Sequence, residues 1–279
     1  MIVFSHANSY SAATYRQLFD GWRAAGQEVA AVEHFGHDAG FPVDLRWRGM
    51  TQQLTALIDS LPQPRLWLVG HSMGGYLSLL AAGQRPERVR GIVLLDSPIV
   101  YGWKSGLIGA VKATGQMWRM SPAAAAEKRR DHWPNIGEAH RHFSAKPMFA
   151  RWHPDVLNDY IRFGTEKDPA DGAGTGRRLS FRPAIEAEIY STVPHRLVAY
   201  LRLHPPGGPV AFIGGRRSRE IRQVGLAATQ RLTQGRISWL EGSHLFPFER
   251  PDETVREVLD WMQRLDALTG REQERTRRE

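Results

Sequence analysis

The first 96 residues alternate short apolar runs with segments of helical periodicity, and this alternation limits the possible folds more than any other feature. Apolar runs separated by amphipathic helices are typical of βαβ units, in which the strands run parallel. The alternation breaks after residue 96 and resumes after residue 206. We therefore predict an α/β fold, with a mostly parallel sheet flanked by helices. The apolar runs assigned to strands are Ile2–Phe4, Val29–Val32, Leu66–Val69, Ile92–Leu95, Val210–Ile213 and Ile237–Leu240.

The interrupting segment, residues 97–206, carries Trp, Pro, His and Arg in short helical stretches without strand-like runs. We predict that it forms an inserted helical cap over a core built from residues 1–96 and 207–268. Residues 269–279 mix both charge signs and are predicted to form a frayed, charged C-terminal tail. Six aromatic residues could line a pocket in the cap, although most are expected to form its own core: Trp103, Trp118, Trp133, Phe143, Phe149 and Trp152.

The composition narrows the classes of protein to which the chain can belong. Its 279 residues include no cysteine, which excludes disulfides, thiolate catalysis and Cys-ligated metals. The hydrophobic fraction of 42% and the charged fraction of 24% are typical of folded globular proteins. No apolar run approaches the roughly 20 residues of a spanning helix, and polar Ser5 and His6 interrupt any signal-peptide core. We predict a cytoplasmic protein without stable membrane insertion.

The formal net charge is +8, and most of it lies in one segment. Residues 97–205 hold 16 Lys and Arg against 10 Asp and Glu, an excess of six positive charges. Positive charge can indicate nucleic acid, an anionic membrane or an acidic substrate. Because the excess lies in the predicted cap, we expect a small-molecule substrate, compatible with an anionic group, and no nucleic-acid partner. The sequence does not indicate an oligomeric state.

The sequence GHSMG at residues 70–74 lies between the apolar run Leu66–Val69 and a helical segment. Alone, a Gly-x-Ser-x-Gly string is weak evidence for a nucleophile, since a chain this long contains one by accident in roughly one case in ten. A strand-turn-helix setting is, however, what a nucleophile elbow requires, because glycines permit the strained turn that exposes the serine. The helix N-terminus also favours negative charge there. We predict that Ser72 is a nucleophile; the alternative is a glycine-rich turn with an incidental serine.

A serine hydroxyl needs a base to remove its proton, so a histidine should lie near Ser72 in the fold. Of the eleven histidines, His244 is best placed, because it lies four residues beyond the last predicted strand. It can therefore reach the carboxyl edge of the sheet, where the nucleophile emerges. His71 is adjacent to the nucleophile, but a sharp turn directs it elsewhere, and we assign it to packing.

A carboxylate must orient that imidazole, and two residues compete for the role. Asp96 follows the strand Ile92–Leu95, which should lie beside the strand that leads to Ser72. Glu220 follows the first strand after the cap, but it stands among arginines that suggest a surface ion-pair network. We favour Asp96 as the acid. The alternatives are that Glu220 is the acid, and that Asp96 merely caps the following turn.

Catalysis at a serine also needs donors for a developing oxyanion, usually backbone N–H groups that each change the rate by about 10²–10³. Met73, directly after the nucleophile, is predicted to supply one donor. Asn8 is predicted to supply the other, from the loop after the first strand, where the small Ala7 permits close approach. His6 is expected to brace this loop.

A cluster of ionisable residues in the cap invites comparison with a metal site: Asp131, His132, His140 and His142. No ligand spacing in this cluster is specific, and histidines in such helical segments are more often exposed or hydrogen-bonded than metal-bound. We predict no metal site and no cofactor.

Three segments together resemble the α/β-hydrolase fold superfamily. Phe4–Asn8 is similar to its oxyanion loop, Gly70–Gly75 to its nucleophile elbow, and Gly242–His244 to its histidine loop. The resemblance covers nearly the whole chain, with the cap matched least. It implies a triad in the order Ser, Asp, His, and a serine at the elbow is unlike the dehalogenases and epoxide hydrolases, which have Asp there.

The position of the acid departs from the commoner pattern of that family. In much of the family the acid follows the strand after the cap, where this chain has Ser218. A subgroup that includes some acyl-CoA hydrolases places the acid 24 residues beyond the serine, which is the spacing between Ser72 and Asp96. Many members with the later acid also carry an aspartate at that position.

The leading hypothesis is therefore a serine hydrolase that cleaves a carboxylic ester or thioester through an acyl-serine intermediate. In a second hypothesis, the same triad acts on a different kind of bond, as in C–C hydrolases, lactonases or cofactor-free haloperoxidases. A third is a non-catalytic binding protein on the same scaffold. The missing acid at the usual position favours the third hypothesis, whereas the presence of both Ser72 and His244 opposes it.

Overall fold

The computed structural model describes residues 1–102, 106–107, 123–172 and 174–276. The strands are β1 (Ile2–Ser5), β2 (Val29–Ala31), β3 (Leu66–His71), β4 (Val89–Leu95), β5 (His132–Trp133), β6 (Thr165–Lys167), β7 (Arg177–Leu179), β8 (Val210–Gly215) and β9 (Ile237–Leu240). Six of them form a parallel sheet in the spatial order β2-β1-β3-β4-β8-β9. Each predicted apolar run corresponds to one strand of this sheet, so the prediction of a mostly parallel α/β fold is confirmed.

Helices cover both faces of the sheet. In the part of the chain that the structure describes, the α-helices of four residues or more are α1 (Arg16–Ala24), α2 (Arg48–Ser60), α3 (Met73–Gln84), α4 (Ala123–Glu127), α5 (Ile136–Ser144), α6 (Pro154–Phe163), α7 (Pro183–Ser191), α8 (Leu197–Leu203), α9 (Arg219–Val224), α10 (Ala227–Thr233), α11 (Phe246–Glu249) and α12 (Pro251–Thr276). On one face, Phe4 of β1 packs in a cluster with Trp22 of α1 and Trp261 of α12. On the other, Val3 packs in a cluster with Leu54 of α2 and Leu77 of α3. Burial on both faces explains why the central strands are continuous apolar runs.

The register of the parallel strands sets the position of the candidate site. His71 at the end of β3 pairs with Leu95 at the end of β4, and Leu95 pairs in turn with Ile213 of β8. The residues that follow these strands therefore emerge at one edge of the sheet. Ligand and catalytic sites of open α/β sheets are found at this carboxyl edge.

Residues 97–206 contain more than the predicted helices. Besides α4 to α8, they include a small antiparallel sheet in the order β5-β7-β6. Its strands span two or three residues and are rich in charged side chains, so they carry no apolar alternation that sequence analysis could detect.

The predicted aromatic core of this segment can be followed for four of its six members. Trp133, Phe143, Phe149 and Trp152 are all buried, whereas Trp103 and Trp118 lie outside the described residues. These side chains do not form a separate core. Trp152 packs against Phe248 of α11, with ring centroids 4.5 Å apart, and all four belong to the same hydrophobic cluster as Phe4 of β1.

The C-terminal helix is longer than predicted. Helix α12 continues to Thr276, through most of the segment that the sequence predicted as a frayed tail. Its buried side chains Val255, Val258, Met262 and Leu265 recur at helical spacing, which ties its first half to the sheet. Among the described helices, none has the length and apolarity needed to cross a bilayer.

Candidate active site

The turn between β3 and α3 holds Ser72 in a strained backbone conformation. Its φ is 53° and its ψ is −114°, in a region that non-glycine residues rarely adopt. Two backbone hydrogen bonds hold this conformation: Ser72 N–H donates to Leu95 O at 3.0 Å, and Gly75 N–H donates to Ser72 O at 3.1 Å. Strain of this kind persists only where surrounding structure enforces it, and it is concentrated at functional sites.

The glycines of this turn are required by close backbone contacts. A Cβ atom on Gly70 would lie 2.4 Å from the carbonyl carbon of Gly74. The turn is therefore too tight for a side chain at Gly70. At Gly74 the obstacle is a different segment, because a Cβ atom there would lie 1.9 Å from the carbonyl oxygen of Ser5. The end of β1 thus passes directly over the turn, and the loop that follows β1 lies beside Ser72.

Ser72, His244 and Asp96 form one chain of hydrogen bonds. His244 Nε2 lies 3.0 Å from Ser72 Oγ, and His244 Nδ1 lies 2.8 Å from Asp96 Oδ1. An acceptor-only carboxylate fixes the proton of the imidazole on Nδ1, which leaves Nε2 free to accept the proton of the serine hydroxyl. The structure therefore brings together the three residues that the sequence singled out from separate strand ends.

Asp96 is fully buried, and its carboxylate accepts two further hydrogen bonds. Gly215 N–H donates to Oδ2 at 2.7 Å, and the Ser218 hydroxyl donates to Oδ1 at 2.6 Å. Burial removes a carboxylate from water, and hydrogen bonds of this kind replace those that water would make. Ser218 stands where the commoner family pattern has its acid, and here its hydroxyl supports the carboxylate that comes from β4 instead.

Glu220, the alternative acid, is farther from the imidazole. Its Oε2 atom lies 3.8 Å from His244 Nδ1, beyond hydrogen-bonding distance, and its side chain is 45% exposed. The geometry thus favours Asp96 as the carboxylate that orients His244. Glu220 contributes a nearby negative charge.

The pKa of His244 is raised above its usual 6.5 by the two carboxylates. Burial acts in the opposite direction, because it disfavours the charged imidazolium. The hydrogen bond to Asp96 and the negative charges of Asp96 and Glu220 together outweigh it. The imidazolium form of His244 is therefore stabilised within the site.

The histidine loop is held by residues that sequence analysis did not identify. Glu249, nearly buried, accepts hydrogen bonds from the backbone N–H and the hydroxyl of Ser243, at 2.9 and 2.6 Å. Gly242, at φ 143°, has a backbone that side chains rarely adopt. No sequence motif marks Glu249, since it acts through the backbone of a neighbouring loop.

His71 does more than fill space. Its Nε2–H donates to the carbonyl oxygen of His244 at 2.9 Å, and its Nδ1 accepts from the Tyr15 hydroxyl at 2.7 Å. The same hydroxyl accepts from Ala7 N–H at 3.1 Å. Burial and the neighbouring His244 keep the pKa of His71 well below its usual value, so it remains neutral. His71 and Tyr15 thereby connect the elbow, the histidine loop and the loop after β1.

The predicted oxyanion donors lie beside the nucleophile. Asn8 and Met73 are buried and line the same cavity as Ser72. Among the described residues, none accepts a hydrogen bond from the backbone N–H of Asn8 or Met73. The Asn8 side chain donates to Glu186 O of α7 at 3.1 Å, which fixes the loop to the segment above it.

His6 braces this loop in the structure. Its Nδ1–H donates to Ala7 O at 2.9 Å, and its Nε2 accepts from Phe35 N–H at 3.0 Å. Burial lowers the pKa of His6 to about 3, so the ring stays neutral and can accept at Nε2.

Two cavities meet at Ser72 and His244. The inner one, about 170 Å³, is lined mainly by apolar side chains that include Trp47, Met73, Tyr76, Val100 and Ile189. The outer one, about 630 Å³, carries four arginines: Arg151, Arg217, Arg219 and Arg222.

The four residues considered as metal ligands do not converge. His132 lies 2.8 Å from Asp131 and 3.5 Å from Asp168, whereas His140 interacts with the Ser144 hydroxyl. In the part of the chain that the structure describes, one set of three carboxylate and imidazole groups lies within 4.8 Å of one another, and it is Asp96, Glu220 and His244. The absence of a metal site stays a prediction of the sequence.

Comparison with known proteins agrees with the fold. A sequence model described as "Alpha/beta hydrolase family" matches residues 2–257. A monoglyceride lipase from Rattus norvegicus is 29% identical over 109 residues, which cover 36% of this chain and 35% of that protein. An sn-1-specific diacylglycerol lipase from Mus musculus is 35% identical over 101 residues, covering 35% of this chain and 33% of that protein. The chain thus matches about a third of the length of these relatives.

Solved structures extend the similarity over the whole fold. The crystal structure of E-2-(acetamidomethylene)succinate hydrolase superimposes with a TM-score of 0.69 at 20% identity, covering 94% of this chain and 91% of that one. At this level of identity the match shows a shared fold.

Proposed function

This chain belongs to the alpha/beta hydrolase family, and we propose that it is a serine hydrolase that cleaves a carboxylic ester or thioester through an acyl-serine intermediate. The observation that carries the proposal is the hydrogen-bonded chain from Asp96 through His244 to Ser72, with distances of 2.8 and 3.0 Å. Its members come from the ends of different strands and loops, so their convergence is not a by-product of one local structure. The lipase names of the two relatives agree with ester cleavage.

Each residue has a defined part in the proposed reaction. His244 Nε2 takes the hydroxyl proton of Ser72 as Oγ attacks the carbonyl carbon of the substrate. The backbone N–H groups of Asn8 and Met73 donate to the oxyanion of the tetrahedral intermediate. His244 then gives its proton to the departing oxygen or sulfur, which leaves the acyl group on Ser72. Water, deprotonated by His244, attacks the acyl-serine and releases the carboxylic acid.

The organisation of the chain fits this scheme. We propose that residues 97–206 act as a cap over a core of residues 1–96 and 207–268. Helix α7 lies over the site, since Glu186 O accepts from the Asn8 side chain and Ile189 lines the inner cavity. A cover of this kind excludes water and defines the shape of the acyl pocket.

The raised pKa of His244 predicts the acidic limb of the pH profile. Only neutral His244 can accept the Ser72 proton, so kcat/KM is expected to fall as the pH decreases through a midpoint above 6.5. Glu220→Gln removes one of the negative charges that favour the imidazolium, and this limb should move to lower pH. Initial rates with an aryl ester between pH 5 and pH 9 measure both effects. A midpoint below 6.5 in the unaltered protein would contradict the raised pKa of His244.

A fluorophosphonate probe tests the proposed function directly. The probe is expected to modify the folded protein once, and peptide mass mapping should locate the adduct on Ser72. Ser60→Ala is a matched control, because Ser60 is an exposed serine at the end of α2 and its loss should leave labelling unchanged. Absence of labelling in folded protein would support a non-catalytic binding protein.

A substrate panel distinguishes the remaining alternatives. It should contain short aryl esters, acyl-CoA thioesters, lactones and β-diketones. Turnover of the first two groups is the expected result. Labelling of Ser72 together with turnover of lactones or diketones alone would instead indicate a lactonase or a C–C hydrolase with the same triad.

A further inference from the structure

The two cavities at Ser72 offer different environments to the acyl group and to the leaving group of a substrate. The inner cavity is lined by buried apolar side chains such as Trp47, Met73 and Ile189. An apolar cavity of about 150 Å³ accommodates benzene, so 170 Å³ holds an acyl group of roughly six carbons or a phenyl ring. The outer cavity is more than three times as large and is bordered by exposed arginine side chains.

The order of events in the proposed reaction assigns the two halves to the two cavities. The alcohol or thiol must depart while the acyl group stays bound to Ser72, so the leaving group needs the exposed side. His244 protonates the leaving group, and its loop neighbours Ser243 and Leu245 line the outer cavity. The acyl group therefore fits the inner cavity, and the leaving group fits the outer one.

The outer cavity has an excess of positive charge. Arg151 and Arg217 share the carboxylate of Glu249, at 3.5 and 4.0 Å, and Arg217 also lies 3.4 Å from the Glu241 carboxylate, so both arginines are compensated. Arg219 and Arg222, on helix α9, form no ion pair with any residue that the structure describes. Glu220 is the acidic residue that lines this cavity, and it faces His244 as well. Two arginines thus stand uncompensated at the exit of the site.

Uncompensated arginines at the mouth of a catalytic cavity attract and hold anions. Arginine presents a planar fork of donors that matches phosphate oxygens. A phosphate monoester carries a charge of about −1.5 to −2 at pH 7, which is close in magnitude to the summed positive charge of Arg219 and Arg222. Clefts lined by one sign of charge also raise association rates for the opposite sign by about 10–10³.

We infer that the preferred substrate is an ester or thioester with a compact apolar acyl group and a phosphate-bearing leaving group, held by Arg219 and Arg222. This inference rests on the proposed hydrolase function and specifies its substrate class. The phosphate remains on the alcohol or thiol, and the bond that breaks is the acyl ester or thioester bond.

Two matched pairs of substrates test the inference. The ester pair is monohexanoyl glycerol and its glycerol phosphate counterpart, and the thioester pair is S-hexanoyl pantetheine and S-hexanoyl phosphopantetheine. Within each pair the scissile bond is the same. We expect kcat/KM to be about 10- to 100-fold higher for the phosphorylated member of the pair that is turned over, and the preference should weaken with added salt.

The double variant Arg219→Gln/Arg222→Gln should remove most of this preference, so that the ratio of kcat/KM between the phosphorylated and the neutral member falls to near one. Arg216→Gln is the matched control, because Arg216 is an exposed neighbour that pairs with Glu241 and does not line the cavity. It should keep the preference. Circular dichroism checks that the variants are folded.

The outcomes separate this inference from the proposed function. Equal rates within each pair, no turnover of either pair, or an equal loss of preference in Arg216→Gln would overturn the phosphate site. If para-nitrophenyl hexanoate is still cleaved and Ser72 is labelled in those cases, the hydrolase function stands. If neither cleavage nor labelling occurs, the proposed function itself fails.

Discussion

Ser72→Ala is expected to lower kcat for an aryl ester by about 10³–10⁶, while the protein remains folded. Alanine keeps the Cβ atom of serine, so the strained backbone at φ 53° is no worse and the turn should persist. What is lost is the Oγ atom that we propose forms the acyl-enzyme bond. Binding contacts and the donors at Asn8 and Met73 remain, and these account for any residual rate.

His244→Ala should reduce kcat to a similar level, and the double variant Ser72→Ala/His244→Ala should be no slower than either single variant. Residues that act as one catalytic unit give losses that do not multiply. Steady-state kinetics of the three variants, together with urea unfolding to check stability, supply the comparison. A Ser72→Ala protein with a tenth or more of the original kcat would contradict the nucleophile assignment.

The sequence was sufficient to predict the sheet, because its central strands are buried on both faces. Leu66–Val69 and Ile92–Leu95 are continuous apolar runs, and the helices between them keep their own period. The same logic placed the candidate site, since residues directly after parallel strands share one edge. Ser72, Asp96 and His244 are each one to four residues beyond a predicted strand.

The supporting residues were harder to predict because they act at long range or through backbone atoms. In the sequence, Tyr15 belongs to an apolar pattern with helical spacing. In the structure, its hydroxyl donates a hydrogen bond to His71, 56 positions later in the chain. Glu249 holds the histidine loop through Ser243, and no motif marks it. The small sheet of β5, β6 and β7 was missed because its strands are too short and too polar to show a period.

The environment of Ser218 is compatible with the proposed acid, Asp96, on the end of β4. The Ser218 hydroxyl caps helix α9 by accepting from Ile221 N–H at 3.2 Å, and it donates to Asp96 at 2.6 Å. A carboxylate at position 218 would place a second negative charge beside the buried carboxylate of Asp96, and like charges repel strongly in a buried site. A serine at position 218 is therefore compatible with Asp96 as the carboxylate that is hydrogen-bonded to His244.

Asp96→Asn is expected to lower kcat by about 10³–10⁴, because an asparagine cannot stabilise the imidazolium and can favour the wrong tautomer of His244. Glu220→Gln should change kcat by less than about fivefold, since its exposed carboxylate lies 3.8 Å from Nδ1 and acts through water-screened charge. Both variants replace a carboxylate by its isosteric amide, so each is the matched control of the other. The opposite ranking of the two losses would identify Glu220 as the acid.

A relocation experiment makes this test sharper. Because Ser218 Oγ lies 2.6 Å from Asp96 Oδ1, a carboxylate introduced at position 218 begins close to the place that His244 Nδ1 needs. The double variant Asp96→Asn/Ser218→Asp should regain at least tenfold of the kcat lost in Asp96→Asn, whereas Ser218→Asp alone should be slower than the unaltered protein because two carboxylates then compete in one buried site. Recovery would show that His244 requires a carboxylate at Nδ1 and not the particular strand from which it comes. Failure to recover, in a protein that unfolds at an unchanged urea concentration, would show that the backbone of Asp96 at φ 42° and its bond from Gly215 are part of the requirement.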